Sequence, residues 1–276
     1  MRIDAHQHFW LFDPVRDRWI TEEMAVIRRN FLPNDIGQIL KDNNFDGVVA
    51  VQADQSHQET DFLVELSGVY KLIKAVVGWV DLRSEAIDEH LAHFKRSPII
   101  KGFRHIVEGE DDPDFLHRDE FLRGIAALTK QQYTYDLLIR PRHYASTLKC
   151  VSANPRQAFM LDHIAKPPIK TQEFDEWATF IDDLAQHKNV HCKISGLATE
   201  ADWKHWTLDH FTQYIAHVVS CFGKDRVLFG SDWPVCLLAG GYEDSIRIVE
   251  DKLKDFTEAE LKGVWGDNAV QFYSIT

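Results

Sequence analysis

The chain has 276 residues, 45% of them hydrophobic, and a formal net charge of −12. That is enough apolar material for one large core. The acidic balance argues against nucleic acid, whose phosphates need clustered Lys and Arg, but leaves room for a local basic pocket that takes a small anion. No apolar run reaches the roughly 18 residues needed to cross a membrane. No basic-then-apolar leader is read ahead of the first strand. The four cysteines, Cys150, Cys192, Cys221 and Cys236, form no C-x-x-C pair, so free thiols and a cytoplasmic location are the expectation.

Eight short apolar runs are read as strands, at 2–9, 47–54, 73–82, 99–107, 134–140, 158–166, 190–197 and 226–233. Near-continuous apolar strands are what a parallel sheet buried on both faces requires. In the first run His6 and His8 are two residues apart, so alternation turns both imidazoles to one face. There they can converge on a metal ion or a polarised oxygen, or simply hydrogen-bond each other at a strand end. Helical spacing fills the intervals, at 35–41, 60–70, 86–94, 121–128, 145–151, 174–187, 208–222 and 245–253. Eight strand–helix alternations predict a single-domain (β/α)8 TIM barrel over residues 1–276. A doubly wound open sheet is the runner-up; no G-x-G-x-x-G follows the first strand, so a dinucleotide site has no support. Residues 10–33, with Trp10 and Trp19, read as a loop over the barrel mouth. Residues 109–118 read as an acidic second loop, either a lid or a plain surface excursion.

In such a barrel the active site lies at the C-terminal ends of the strands, and most of these runs end in polar side chains. They supply Gln52 and Asp54, Arg104 and His105, and Arg140; then Asp162, His163 and Lys166; then Lys193 and Ser195; and last Ser231, Asp232 and Trp233. Each has a modest alternative. Gln52 and Asp54 can cap a turn, Arg140 can be a surface ion-pair partner, His105 can orient a neighbour and Asp162 can bond backbone. His57 and His143 read as surface or core residues, and Cys236 as a buried thiol. His6, His8, His163 and Asp232 together are more specific. Three imidazoles and a carboxylate can bind one divalent ion, or hold a carbonyl and a water without one. Asp232 has the chemistry of a general base.

Four segments, D-A-H-Q-H-F-W, L-D-H-I-A-K-P, K-I-S-G-L and F-G-S-D-W-P, occur in this order from Asp4 to Pro234. They resemble the amidohydrolase superfamily, and within it the amidohydrolase-related branch with its sugar lactonases (L-fuconolactonase, L-rhamnono-lactonase) and 2-pyrone-4,6-dicarboxylate lactonase. The resemblance implies a barrel hydrolase in which His6, His8, His163 and Asp232 are catalytic and can ligate a metal. It also implies that Asp232 activates water. Strand four lacks a bridging Lys or Glu at its end, and Arg140 stands where many relatives have a metal-binding His. At most one divalent ion, zinc first among the candidates, is therefore expected, with a metal-free mechanism kept open. Gln52, Arg104, His105, Lys166, Lys193, Ser195 and Trp233 are expected on a small-molecule substrate, a sugar-acid lactone. A decarboxylase of small aromatic acids and a non-catalytic sugar-acid-binding barrel are the alternatives. No nucleic-acid or membrane partner is expected, and homo-oligomerisation stays open.

Overall fold

Strands too apolar to face water on either side must be covered twice, from within and from without. The computed structural model, which describes residues 1–276, does this by closing the sheet. Eight parallel strands run in sequence order: β1 (Ile3–Gln7), β2 (Gly47–Val51), β3 (Ile73–Gly78), β4 (Ile100–His105), β5 (Thr134–Leu137), β6 (Phe159–Leu161), β7 (Val190–Ile194) and β8 (Val227–Phe229). A parallel bridge between Gln7 and Trp233 joins the last strand's extension to the first. The barrel is thus the expected one. The strands are shorter than the apolar runs, because polar residues such as Gln52, Asp162, Lys166 and Asp232 at the ends of several runs belong to the turns above the sheet.

The outer ring is α1 (Pro33–Asp42), α2 (His57–Val69), α3 (Ile87–Phe94), α4 (Asp119–Gln131), α5 (Tyr144–Ala153), α6 (Asp175–Ala185), α7 (Thr212–Phe222) and α8 (Tyr242–Lys252). Their buried residues recur at helical spacing, as Phe121, Ile125 and Leu128 do in α4 and Trp177, Ile181 and Leu184 in α6. Two further short helices, α9 (Glu258–Lys262) and α10 (Asn268–Phe272), were not expected from the sequence. The segment from α10 onward fills the barrel from within. Ala269, Tyr273 and Ile275 join Ile3, Ala5, Val49, Val51, Ala75, Val77, Met160 and Leu228 in an interior cluster separate from the larger core under the helices. The 10–33 loop is pinned rather than loose. Trp10 and Phe31 exchange backbone hydrogen bonds, the Trp10 indole donates to Arg29 O at 2.8 Å, and residues 22–27 form a 3-10 helix. No helix is long and apolar enough to cross a membrane.

Candidate active site

His6 of β1 and His8 just beyond it meet because the strand is irregular. Ala5 packs into the interior cluster, and strict alternation would send His6 outward. The register between β1 and β2 shifts between Asp4 and Gln7, and His6 too reaches interior groups, Lys193 and Asp162. Such a bulge re-aims a side chain next to a functional site. The result is His6 Nε2 at 3.2 Å from His8 Nε2. His8 Nδ1 lies 2.8 Å from Val51 O, a carbonyl that only accepts, so Nδ1 donates there and Nε2 faces the site.

Asp232 arrives from the other side of the barrel seam. Its backbone N–H donates to His6 O at 2.8 Å, and its φ of 60° lies in the left-handed region that Asp tolerates better than most residues. Asp4 sets this turn: its carboxylate accepts from Ser231 Oγ at 2.6 Å and from the Ser231 N–H at 2.9 Å. Burial pushes the Asp4 carboxyl up to about 6 against these bonds. Two glycines make the approach possible. A Cβ on Gly230 would stand 2.6 Å from His6 Cβ, and one on Gly196 would stand 2.7 Å from His163 Nδ1.

His163 is held by an unusual turn. His163, Ile164, Ala165 and Lys166 all have positive φ, between 47° and 62°. Each such residue costs of order 1 kcal/mol or more and persists only where its surroundings over-determine it. Here the Trp177 indole of α6 donates to Ile164 O at 2.7 Å and the Tyr144 hydroxyl of α5 to Ala165 O at 3.1 Å. The turn delivers His163 with Nδ1 at 2.9 Å from Ser195 Oγ and Nε2 toward Asp232.

Beneath the histidines lies a fully buried charged network. Lys193 Nζ is 2.6 Å from Asp136 Oδ2, 3.0 Å from Asp162 Oδ1 and 3.3 Å from His6 Nδ1. The Tyr273 hydroxyl donates to the same Asp136 oxygen at 2.7 Å. Arg104 Nη1 lies 3.0 Å from Asp162 Oδ2 and 3.3 Å from His6 Nε2, and its Nη2 donates to Gln52 O at 2.6 Å. Burial holds His6 and His163 well below the usual histidine range, so both are neutral imidazoles. Burial alone would raise Asp162, but Lys193, His6 and Arg104 outweigh it and hold the carboxylate ionised.

Above the histidines opens a cavity of about 340 Å³. Of the expected residues, His8, Arg104, His163, Lys166 and Asp232 line it, with Trp10 and Trp19 from the mouth loop. His6 is fully buried beneath it, in contact with His8, Arg104 and Lys193. The others are placed elsewhere. Lys193, expected on substrate, is sealed under His6 by its two carboxylates. Gln52 is fully buried and braces Arg104, donating from Nε2 to its carbonyl at 3.1 Å. Ser195 braces His163. Trp233 is buried against Phe9 and Phe31 and fixes the loop that carries Asp232. His105 faces away, stacked on Phe115 and 2.7 Å from Glu110 Oε1. Arg140 bridges Glu108 at 3.1 Å and Glu200 at 2.6 Å. Sequence reasoning missed Glu108, which lines the cavity and holds Lys166 Nζ at 2.8 Å. It also missed Asp136 and Tyr273, and gave Asp162 no role in the site.

The imidazoles fit a metal. His8 and His163 each have an Nδ1 partner, Val51 O and Ser195 Oγ, which is the outer arrangement that orients ligating histidines, while His6 Nδ1 stands 3.3 Å from both Lys193 Nζ and Asp162 Oδ1. Zinc–nitrogen and zinc–oxygen bonds at a tetrahedral angle separate neighbouring donors by roughly 3.3–3.5 Å. His8 Nε2 lies 3.3 Å from Asp232 Oδ1 and His6 Nε2 3.8 Å, so these three donors already form one compact set, and His163 Nε2 stands 3.9 Å from the same carboxylate oxygen. Arg104 Nη1, 3.3 Å from His6 Nε2, is a cation that such an ion would face. No second set of donors continues from β4 or β5.

Comparison with known proteins places this geometry. The amidohydrolase family profile matches residues 3–275. A curated relative named L-fucono-1,5-lactonase, from Burkholderia multivorans, is 35% identical over 100% of this chain and 96% of its own length. A second protein of that name, from Burkholderia ambifaria, is 34% identical over 99% and 96%. A crystal structure of an amidohydrolase from Burkholderia multivorans with bound zinc superposes with a TM-score of 0.96 at 36% identity, each chain fully covered.

Proposed function

The chain belongs to the amidohydrolase family, and from that premise we propose that it opens a small sugar-acid lactone, of the 6-deoxyhexono-1,5-lactone type, by attack of water on the ring ester. The observation that carries this reading is the position of Asp232: a carboxylate oxygen 3.3 Å from His8 Nε2, at the bottom of a cavity with polar and apolar walls. At about 340 Å³ the space sits at the small end of ligand pockets, suited to one monosaccharide and not to a chain. Arg104, Lys166 and Glu108 offer hydrogen bonds to carbonyl and hydroxyl groups, while Ile106, Leu138 and Val235 leave an apolar wall for a methyl group. The curated relatives' name supports the same substrate class.

Asp232 takes the proton from water as it attacks, and returns it to the departing ring oxygen. Arg104, aimed by Asp162 and Gln52, stands beside the reacting centre and stabilises the negative charge that develops on the carbonyl oxygen. The neutral imidazoles keep their Nε2 atoms toward the site. A divalent ion held by His6, His8, His163 and Asp232, zinc in the first instance, supplies Lewis-acid polarisation of the carbonyl when bound. The experiment is a panel of aldonolactones followed by acid release with a pH indicator, with metal-stripped and zinc-loaded protein. Turnover of deoxyhexonolactones supports the proposal. Activity confined to aryl esters or amides, or carbon dioxide release from aromatic acids, overturns it. A hydroxymethyl in place of the methyl should cost no more than about 100-fold in kcat/KM, because an apolar wall rejects an added hydroxyl only weakly.

A further inference from the structure

On the outer surface, away from the barrel mouth, α6 and α7 bring three different donors together. His217 and Cys221 are one turn apart on α7, so they share a face, and Asp182 of α6 lies opposite. Cys221 Sγ is 3.1 Å from Asp182 Oδ1 and 3.5 Å from His217 Nε2, and that nitrogen is 3.3 Å from the same carboxylate oxygen. A tetrahedral zinc ion with one sulfur, one nitrogen and one oxygen ligand separates them by roughly 3.4 Å for N···O, 3.5 Å for S···N and 3.6 Å for S···O. Two of the three edges are already in place, and the third needs an opening of about half an ångström, within reach of a carboxylate that is largely solvent-exposed.

We propose that Asp182, His217 and Cys221 form a second metal site, unconnected with lactone chemistry, that binds one zinc-class divalent ion with water as its fourth ligand. A thiolate, an imidazole and a carboxylate suit zinc over magnesium or calcium, which prefer oxygen alone. The His217 ring is already oriented, edge-on against Phe174 and tilted over Trp177. Its Nε2 also lies 3.2 Å from Ala178 O. Binding takes Cys221 as the thiolate, its proton passing to solvent, and His217 through an unprotonated Nε2, with the ion in the space between the three donors. The ion would tie α6 to α7 in the outer ring.

Cobalt(II) distinguishes this site from the central one, which has nitrogen and oxygen donors and no sulfur. Titration of the metal-stripped full chain with cobalt should produce a thiolate-to-cobalt charge-transfer band in the near ultraviolet, saturating at one ion per chain. The band should vanish in Cys221→Ser, weaken at least 10-fold in apparent affinity in His217→Gln, and persist in His8→Ala. Zinc should raise the melting temperature of the wild type by several degrees more than that of Cys221→Ser, while lactone turnover of Cys221→Ser stays at the wild-type level. No band at millimolar cobalt, a band surviving in Cys221→Ser, or one unaltered in His217→Gln overturns the proposal.

Discussion

The floor and the rim of the cavity are built from the same parts. In each, one lysine meets two carboxylates with an arginine alongside: Lys193 with Asp136, Asp162 and Arg104 below, Lys166 with Glu108, Glu200 and Arg140 above. On the floor the lysine and both carboxylates have no solvent exposure; at the rim Lys166 keeps 16% and Glu108 22%. The chemistry of the pairs is alike, but their consequences differ. A buried ion pair adds little net stability yet is costly to break, because one partner is left charged and dry. A pair that water reaches is worth roughly 1 kcal/mol or less. The floor therefore fixes where His6 and Arg104 point, and the rim is free to exchange its partners for the hydroxyls of a substrate.

The largest effect expected is at the centre, between floor and rim. Asp232→Asn keeps size and packing but cannot accept a proton, so kcat should fall by about 10²–10⁴-fold with an unchanged melting temperature. A variant with wild-type kcat at saturating lactone would mean that Asp232 only shapes its turn. Next come the two lysines. Lys193→Met should cost about 3–5 kcal/mol of unfolding free energy, since Asp136 and Asp162 lose their shared cation. Adding Asp136→Asn to that variant should restore part of the loss, by the coupling that contacting residues show. Lys166→Met should cost about 1 kcal/mol or less, and show itself instead as a rise in KM, by roughly 10–100-fold if its hydrogen bond to substrate is charge-assisted. Equal losses of stability from the two lysines, by denaturant titration, would erase the distinction between floor and rim.

How far the sequence foretold this arrangement depends on distance along the chain. The eight strands were legible because parallel strands buried on both faces leave unbroken apolar runs, and the outer helices because their buried residues recur at 3.6. His6, His8, Arg104, His163, Lys166 and Asp232 were legible because they end those runs. The strand limits were overdrawn because polar residues such as Lys166 and Asp232 sit in turns above the sheet, with positive φ that no glycine announced. Tyr273 was invisible because it follows a short C-terminal helix, 137 residues from the Asp136 it bonds. Lys193 was read as facing substrate because alternation gives the face of a strand and not the depth along it. Glu108 follows β4 without pattern, and nothing in its neighbours marks it as the partner of Lys166.

The smallest effect expected is in the pH dependence of stability, where floor and rim differ in kind. At the rim, burial would raise Glu108, but Lys166 and Arg140 outweigh it and hold the carboxyl below its ordinary 4.5. A carboxyl lowered by folding contributes stability that is complete above its unfolded value and is lost as pH falls through the folded one. Glu108→Gln should therefore be less stable than the wild type at pH 7, and the gap should close on acidification below about 4.5. On the floor two carboxylates work against each other. Asp162 is lowered and follows the same sign, whereas burial, outweighing Lys193, pushes Asp136 up to about 6. A raised carboxyl binds its proton more tightly when folded, so its contribution is lost as pH rises through 6 and regained below it. Asp136→Asn should thus flatten the part of the stability curve between about pH 4 and 6, with the opposite sign to Glu108→Gln. Salt separates the two again. Raising ionic strength from 0.1 to 1 M shortens the screening length from about 10 to 3 Å, which should shrink the Glu108 difference and leave that of Asp136, sealed from water, unchanged. Thermal melts of both variants across pH 3–8 at the two salt concentrations measure this, and an Asp136 difference that salt abolishes would show that water reaches the floor.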